Sequence, residues 1–152
     1  MHVWRLTKTR YVDAAFNGEG ARVYGARWNS PGTLVAYASN NSALAVLEVL
    51  VHVMGGGPLM EYSLIQASIA DALVEDLSTS RLPKDWNVSP VPPSVQRVGD
   101  EWVKSGRSLA LRVPSVIVDA GFNILINPAH STFDRISIES VSEYNFDPRL
   151  AR

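Results

Sequence analysis

The chain contains no cysteine, which removes disulfides, thiolate nucleophiles and cysteine-ligated zinc or iron–sulfur centres together. It has no surplus of charge either. With 14 basic residues against 15 acidic, its formal net charge is −1, so no global field draws it to nucleic acid or an anionic membrane. A local basic pocket stays open. No apolar run approaches the roughly 18 residues of a transmembrane helix, and the opening "MHVWRLTKTR" lacks the apolar core of a signal peptide. The expectation is a soluble, cytoplasmic protein with no membrane and no direct nucleic-acid contact. Two catalytic or cofactor signatures are also missing. No G-x-S-x-G marks a serine nucleophile. "GEGARVYG" neither follows a clear strand nor opens an evident helix, and it misplaces the third glycine of a dinucleotide-binding loop.

What is present describes a folded domain. The 152 residues are 46% hydrophobic and 19% charged, with aromatic residues from Trp4 to Phe146, a size and composition that suit one domain with one core over 1–152. There is no repeat, heptad or linker. "HVWRL" reads as a short strand, and the glycine-rich stretch from Tyr11 to Gly32 reads as turns around aromatic anchors. "TLVAYAS" reads as a buried strand. Asn41 or Ser42 then caps a helix running to about Met54 and ending at "GGGP". The apolar residues of that helix occupy nearly every side, so it is expected to be packed on most of its circumference.

"EYSLIQASI" alternates as a strand, and "STSRLPKDWNVSPVPPS", with four prolines, reads as an irregular connection. "SVQRVGDEWVKSG" reads as an amphipathic helix capped by Ser94 and stopped by Gly106. "LALRVPSVIV" and "FNILIN" suggest paired strands joined by "DAG", and "RISIESV" suggests another.

The helix "ALAVLEVLVHV" poses the chemical question, because Glu48 stands in an aliphatic run and a buried carboxylate needs a partner or a purpose. Glu48 and His52 share a helical face at i and i+4, yet no third ligand has diagnostic spacing to them, so no metal site is expected. Arg5 beside Trp4, Arg27 beside Trp28, and Tyr37 on a strand form a set with Glu48 that suits a nucleotide. Arginine forks bind diphosphate, tyrosine packs on flat rings, and glutamate holds ribose or faces developing positive charge. Taken singly, each has a structural explanation: surface arginines packed on tryptophan, a core tyrosine, or a carboxylate tied to an arginine.

These residues fall within "WRL", "GARWNSPG", "VAYAS", "ALAVLEVLVH", "LRVPSVIV", "NILINPAH" and "FDPRL". Together, in that order and over nearly the whole chain, they resemble the RES-domain family. The resemblance implies a single α+β domain with an ADP-ribosyltransferase-like fold, a split, twisted sheet core with flanking helices. It implies the toxin of a bacterial type II toxin–antitoxin pair that degrades NAD⁺ at the nicotinamide–ribose bond, by hydrolysis or phosphorolysis. NAD⁺ would be consumed as substrate, inorganic phosphate could be a co-substrate, and no resident cofactor is expected. The partners implied are a helix-turn-helix antitoxin covering the active site and a second copy in a homodimer.

By the same resemblance Glu48 is the principal catalytic group. Arg5 and Arg27 grip the diphosphate or adjoining ribose, Tyr37 packs on the nicotinamide side, and Ser115 fixes a ribose or nicotinamide hydrogen bond. Asn127 and His130 are supporting candidates. Pro114 is expected to interrupt sheet pairing and aim Ser115 into the cleft. The alternatives are ADP-ribosyl transfer to a protein target and a non-catalytic nucleotide-binding module.

Overall fold

A computed structural model describes residues 1–53 and 57–151. Its strands and α-helices follow one another in the order β1 (His2–Lys8), α1 (Glu19–Tyr24), β2 (Ala36–Ser39), α2 (Ser42–Val53), β3 (Tyr62–Ser68), β4 (Val74–Asp76), α3 (Pro93–Ser105), β5 (Ala110–Pro114), β6 (Phe122–Ile126) and β7 (Ser137–Tyr144). Among the described residues the seven strands form one sheet in the order β4-β5-β6-β2-β1-β3-β7. Only β4 and β5 run parallel. The architecture is α+β, and none of its described helices is long and apolar enough to cross a membrane.

The sheet has one seam, between β1 and β2. β1 is aligned with β3 along its whole length, from His2↔Ser68 to Lys8↔Tyr62, whereas β1 and β2 meet at the single pair Trp4↔Ser39. Beyond that pair the two strands separate, and the Arg5 guanidinium spans the gap by donating to the carbonyl of Tyr37. A side chain thus satisfies a backbone acceptor that a continuous ladder would have paired.

Alternation along β6 divides the core. Ile124 and Ile126 join Val3, Phe16, Ala36, Ile65 and Leu109, while Leu125 packs with Trp28, Val35, Val95, Trp102, Leu111 and Val113 beneath α3. A third cluster, Leu6, Ala45, Val46 and Tyr62, seats α2.

Several expectations are refined. α2 is capped by Asn41, whose Oδ1 accepts from the Leu44 amide at 2.8 Å. Its expected end at Met54 and the following Gly55 and Gly56 lie outside the described residues. The helix is not enclosed on most sides: only Leu44, Ala45 and Val46 are buried, and Val51 is 51% exposed. Its remaining flank borders open space.

Ser94 does not cap α3. The helix begins at Pro93, whose missing N–H costs nothing in a first turn, with Pro92 at the cap position. Gly106 stops it as expected, in the left-handed conformation at φ 58°. "GEGARVYG" opens a helix after all, the six-residue α1. Pro114 does not break the sheet: it pairs with Phe122, and the Ser115 amide still donates to Gly121 at 2.9 Å.

Candidate active site

A cleft of about 800 Å³ opens where β1 and β2 part, a size within the ordinary range for small-molecule sites. β1 contributes Arg5, β2 contributes Tyr37 and Ser39, α2 contributes Glu48, and β6 contributes Asn123. Arg27 and Trp28 enter from the loop after α1, Pro114 from the end of β5 and Val116 from the loop that follows it. Glu48 reaches the cleft because the exposed flank of α2 forms one of its walls.

The carboxylate is held by neutral donors. Asn123 Nδ2 donates to Glu48 Oε1 at 2.5 Å and Ser115 Oγ donates to the same oxygen at 3.4 Å, the latter at the outer limit of hydrogen bonding. Asn123 is itself fixed, since Ser39 Oγ donates to its Oδ1 at 2.9 Å. Ser115 Oγ also accepts from the amides of Ile117 at 3.0 Å and Val118 at 3.3 Å, which locks its turn. A relay Ser39–Asn123–Glu48 therefore orients the carboxylate, and each bond polarises the next. Among the described residues no ion pair involves Glu48, and none donates a hydrogen bond to Oε2. The arginine partner considered from sequence is replaced by an amide and a hydroxyl, which fix the group without cancelling its charge.

Arg5 and Arg27 line the same cleft in different states. Arg5 is half-buried: its Nε is buried without a hydrogen-bond partner among the described residues, and desolvation lowers its pKa to about 10. It remains a cation at neutral pH. Arg27 Nη1 donates to the carbonyls of Trp86 at 2.8 Å and Val88 at 3.1 Å. One terminal nitrogen thus anchors the proline-rich segment, and Arg27 also lines the cleft.

Tyr37 is fixed by its hydroxyl, which donates to Asn29 Oδ1 at 2.7 Å and accepts from the Trp28 amide at 3.1 Å. Burial pushes its phenol above the ordinary value, so it stays a neutral donor.

The loop carrying Arg27 is over-determined. Asn29 Nδ2 donates to the carbonyls of Ala21, Ser30 and Thr33, Gln96 Nε2 from α3 donates to those of Ala26 and Asn29, and Asp100 receives both the Ser30 amide and hydroxyl. Sequence reasoning missed Asn29, Gln96, Asp100 and Asn123. For Asn123 a signal was present: it is a lone amide in the otherwise apolar "FNILI".

Of the residues singled out from sequence, Arg5, Arg27, Tyr37 and Glu48 converge on the cleft, with Ser115 touching Glu48 from behind. Asn127 and His130 do not join them. Asn127 is buried, where its Oδ1 accepts from the Ala129 amide at 3.0 Å, its backbone N–H donates to the Leu109 carbonyl at 2.9 Å and its Nδ2 donates to the Val103 carbonyl at 3.4 Å. His130 bonds the carbonyl of Gly106 and the hydroxyl of Thr132. Both brace the turn after β6 against the end of α3. His52 likewise turns back on its helix, with Nδ1 bonded to the backbone carbonyl of Glu48 at 2.7 Å.

A family model described as RES domain matches residues 2–148. The chain is 37% identical to a protein named Toxin Res from Yersinia enterocolitica, over 99% of each chain. It is 36% identical to a Toxin Res from Photorhabdus laumondii, over 100% of this chain and 98% of that one. A protein from Sphingobium sp. named Prs ADP-ribosylating toxin is 38% identical, with 98% and 96% of the two chains covered. Among solved structures, a chain of the M. tuberculosis MbcT–MbcA toxin–antitoxin complex matches with a TM-score of 0.78 at 20% identity, covering 95% of this chain and 84% of that one. At that identity the likeness is one of fold.

Proposed function

This chain belongs to the RES-domain family, and from that premise we propose that it is a toxin that degrades NAD⁺ by cleaving the nicotinamide–ribose bond. The observation that carries the reading is the Glu48 carboxylate: it lines a nucleotide-sized cleft, oriented by Asn123 and Ser115 and neutralised by no described cation.

One carboxylate suffices for this chemistry. Glycosidases use two because the departing oxygen must be protonated. Nicotinamide in NAD⁺ is already a cationic pyridinium: when its bond to ribose breaks, the electron pair goes to the ring nitrogen, and it leaves as a neutral base needing no proton. Positive charge then spreads over the ribose carbon and ring oxygen. A fixed anion stabilises that charge directly or through the 2′-hydroxyl, in surroundings that screen it poorly. Water capturing the cation gives ADP-ribose and a proton, and inorganic phosphate gives its phosphate ester.

The remaining residues bind and orient. Arg27 and Arg5 supply positive charge for the diphosphate, which makes them the local basic pocket of a neutral chain. Tyr37, immobilised by Asn29 and Trp28, offers its ring to the nicotinamide side. Ser115 acts through Glu48 and is a positioning residue.

A second reading is ADP-ribosyl transfer to a protein, favoured by the name of the Sphingobium relative. It requires the same bond cleavage and differs only in the nucleophile. An antitoxin partner is supported by the likeness to a chain of the MbcT–MbcA toxin–antitoxin complex and by exposed apolar residues at the cleft, Tyr24, Val51 and Val116. A helix-turn-helix protein covering the cleft, and a homodimeric toxin, complete the proposal.

Incubating the purified chain with NAD⁺ labelled in its adenylate half tests these readings together. Free nicotinamide with labelled ADP-ribose, or its phosphate ester when phosphate is present, is the expected result. Label on a protein target favours transfer. NAD⁺ binding with no nicotinamide release would leave only a non-catalytic module.

A further inference from the structure

The cleft holds an aromatic ring that neither the fold nor the bond-breaking chemistry uses. Tyr24, the last residue of α1, lines the cleft and is 84% exposed. A tyrosine left in water gives up the large burial its ring could contribute, so its place needs a reason. Tyr11 also lines the cleft, but the Arg10 guanidinium lies over its ring at 4.8 Å. Tyr24 takes part in none of the aromatic pairs or cation–ring contacts among the described residues. Both of its faces are open.

The backbone beneath that open ring is held firmly. The Gly25 amide donates to Ala21 at 2.8 Å, Asn29 Nδ2 donates to the same carbonyl at 2.9 Å, and the Gly32 amide donates to Arg22 at 2.7 Å. Gly25, at φ 69°, makes the turn out of α1, and a Cβ there would meet Pro31 Cδ at 2.9 Å. Tyr24 is therefore a fixed pedestal with a free ring. Arg27 lies three positions further along the chain, so their Cα atoms are at most about 11 Å apart. In an adenosine diphosphate group one ribose separates the base from the phosphates, which matches a ring and a guanidinium placed side by side.

We propose that Tyr24 is the platform on which the adenine of the dinucleotide stacks, so that the ligand runs from base at Tyr24, through diphosphate at Arg27, to the nicotinamide ribose at Glu48. The inference rests on NAD⁺ as the substrate and adds the residue that binds its far end. Stacking on an aromatic face is sequence-tolerant and substantial, and the adenylate half of the ligand then contributes affinity at a distance from the reacting bond.

Calorimetric titration of the full chain with two probes tests it: ADP-ribose, which carries the adenine, and nicotinamide mononucleotide, which does not. Tyr24→Ala should weaken ADP-ribose by about tenfold or more and leave nicotinamide mononucleotide within about twofold, whereas Tyr24→Phe should bind ADP-ribose nearly as the wild type does. Equal weakening of both probes, no weakening of either, or a wild type that does not bind ADP-ribose would each overturn the assignment. A wild type that binds ADP-ribose through Tyr24 yet releases no nicotinamide from NAD⁺ would instead remove the proposed reaction and leave the platform standing.

Discussion

Glu48 was visible in the sequence as an anion among aliphatic residues, but its partners were not. An arginine is the obvious guess for a shielded carboxylate, and two arginines do line the same cleft. The fold uses Asn123 and Ser115 instead, from β6 and the loop beyond β5, far away in sequence and recognisable only once the strands are in register. Ser39 and Asn123 are aligned neighbours on β2 and β6, so the relay to Glu48 is a product of sheet pairing. Asn127 and His130 mislead for the opposite reason: they occur in a family motif, yet their hydrogen bonds close a turn.

Tyr37 illustrates a residue whose identity was legible and whose burden was not, because it both borders the cleft and ties the Arg27 loop to the sheet. Burial raises its folded-state pKa above the usual phenol value near 10, so folding favours the neutral form. Its stabilising contribution is fully present below pH of about 10 and is lost as the pH rises toward the folded-state value. Arg5 works with the opposite sign. Its lowered pKa of about 10 means that the cost of burying the cation applies throughout the neutral range and eases only above that value.

Tyr37→Phe removes the hydroxyl bonded to Asn29 and Trp28, and at neutral pH it should cost about 1–3 kcal/mol. Urea unfolding midpoints measured from neutral to strongly alkaline pH should fall less steeply for the variant than for the wild type. Parallel profiles would show that the Tyr37 phenol does not couple to folding.

At the level of elements, strongly patterned segments were readable: β1, β3, β7, the β5–β6 pair, α2 and α3 all lie where alternation, helical spacing or glycine and proline punctuation put them. Short elements were not. α1 has six residues and β4 has three, too few for periodicity to register, and β4 exists by pairing with β5. The seam between β1 and β2 was equally hidden, because nothing in "HVWRL" says that its neighbour will touch it at one position only.

The approach of α3 to the Arg27 loop rests on Gly99, where a Cβ would sit 1.7 Å from the Trp28 carbonyl oxygen. Gly99→Ala must drive the helix from the loop, displacing Gln96 and Asp100 from their contacts with Ala26, Asn29 and Ser30. The expected loss is at least the ~1–3 kcal/mol typical of overpacking, read as a lower urea midpoint, together with weaker NAD⁺ binding. An unchanged midpoint would contradict this packing.

Across the whole molecule, the neutral charge balance and the absence of cysteine excluded several chemistries without indicating the right one. The architecture is α+β, as the family resemblance implied, and its parting strands create the cleft. Arg5 and Arg27, whose charge is cancelled in the net balance, line it together with a carboxylate held by neutral groups.

On the proposed reading the Glu48 carboxylate, by its charge, promotes breakage of the nicotinamide–ribose bond. Glu48→Gln is the sharpest probe of it, since the amide oxygen can still accept from Asn123 while the charge is gone. Nicotinamide release from NAD⁺, measured for variant and wild type at matched thermal stability, should fall by roughly 10²–10³. A folded variant that turns over at near the wild-type rate would contradict the account.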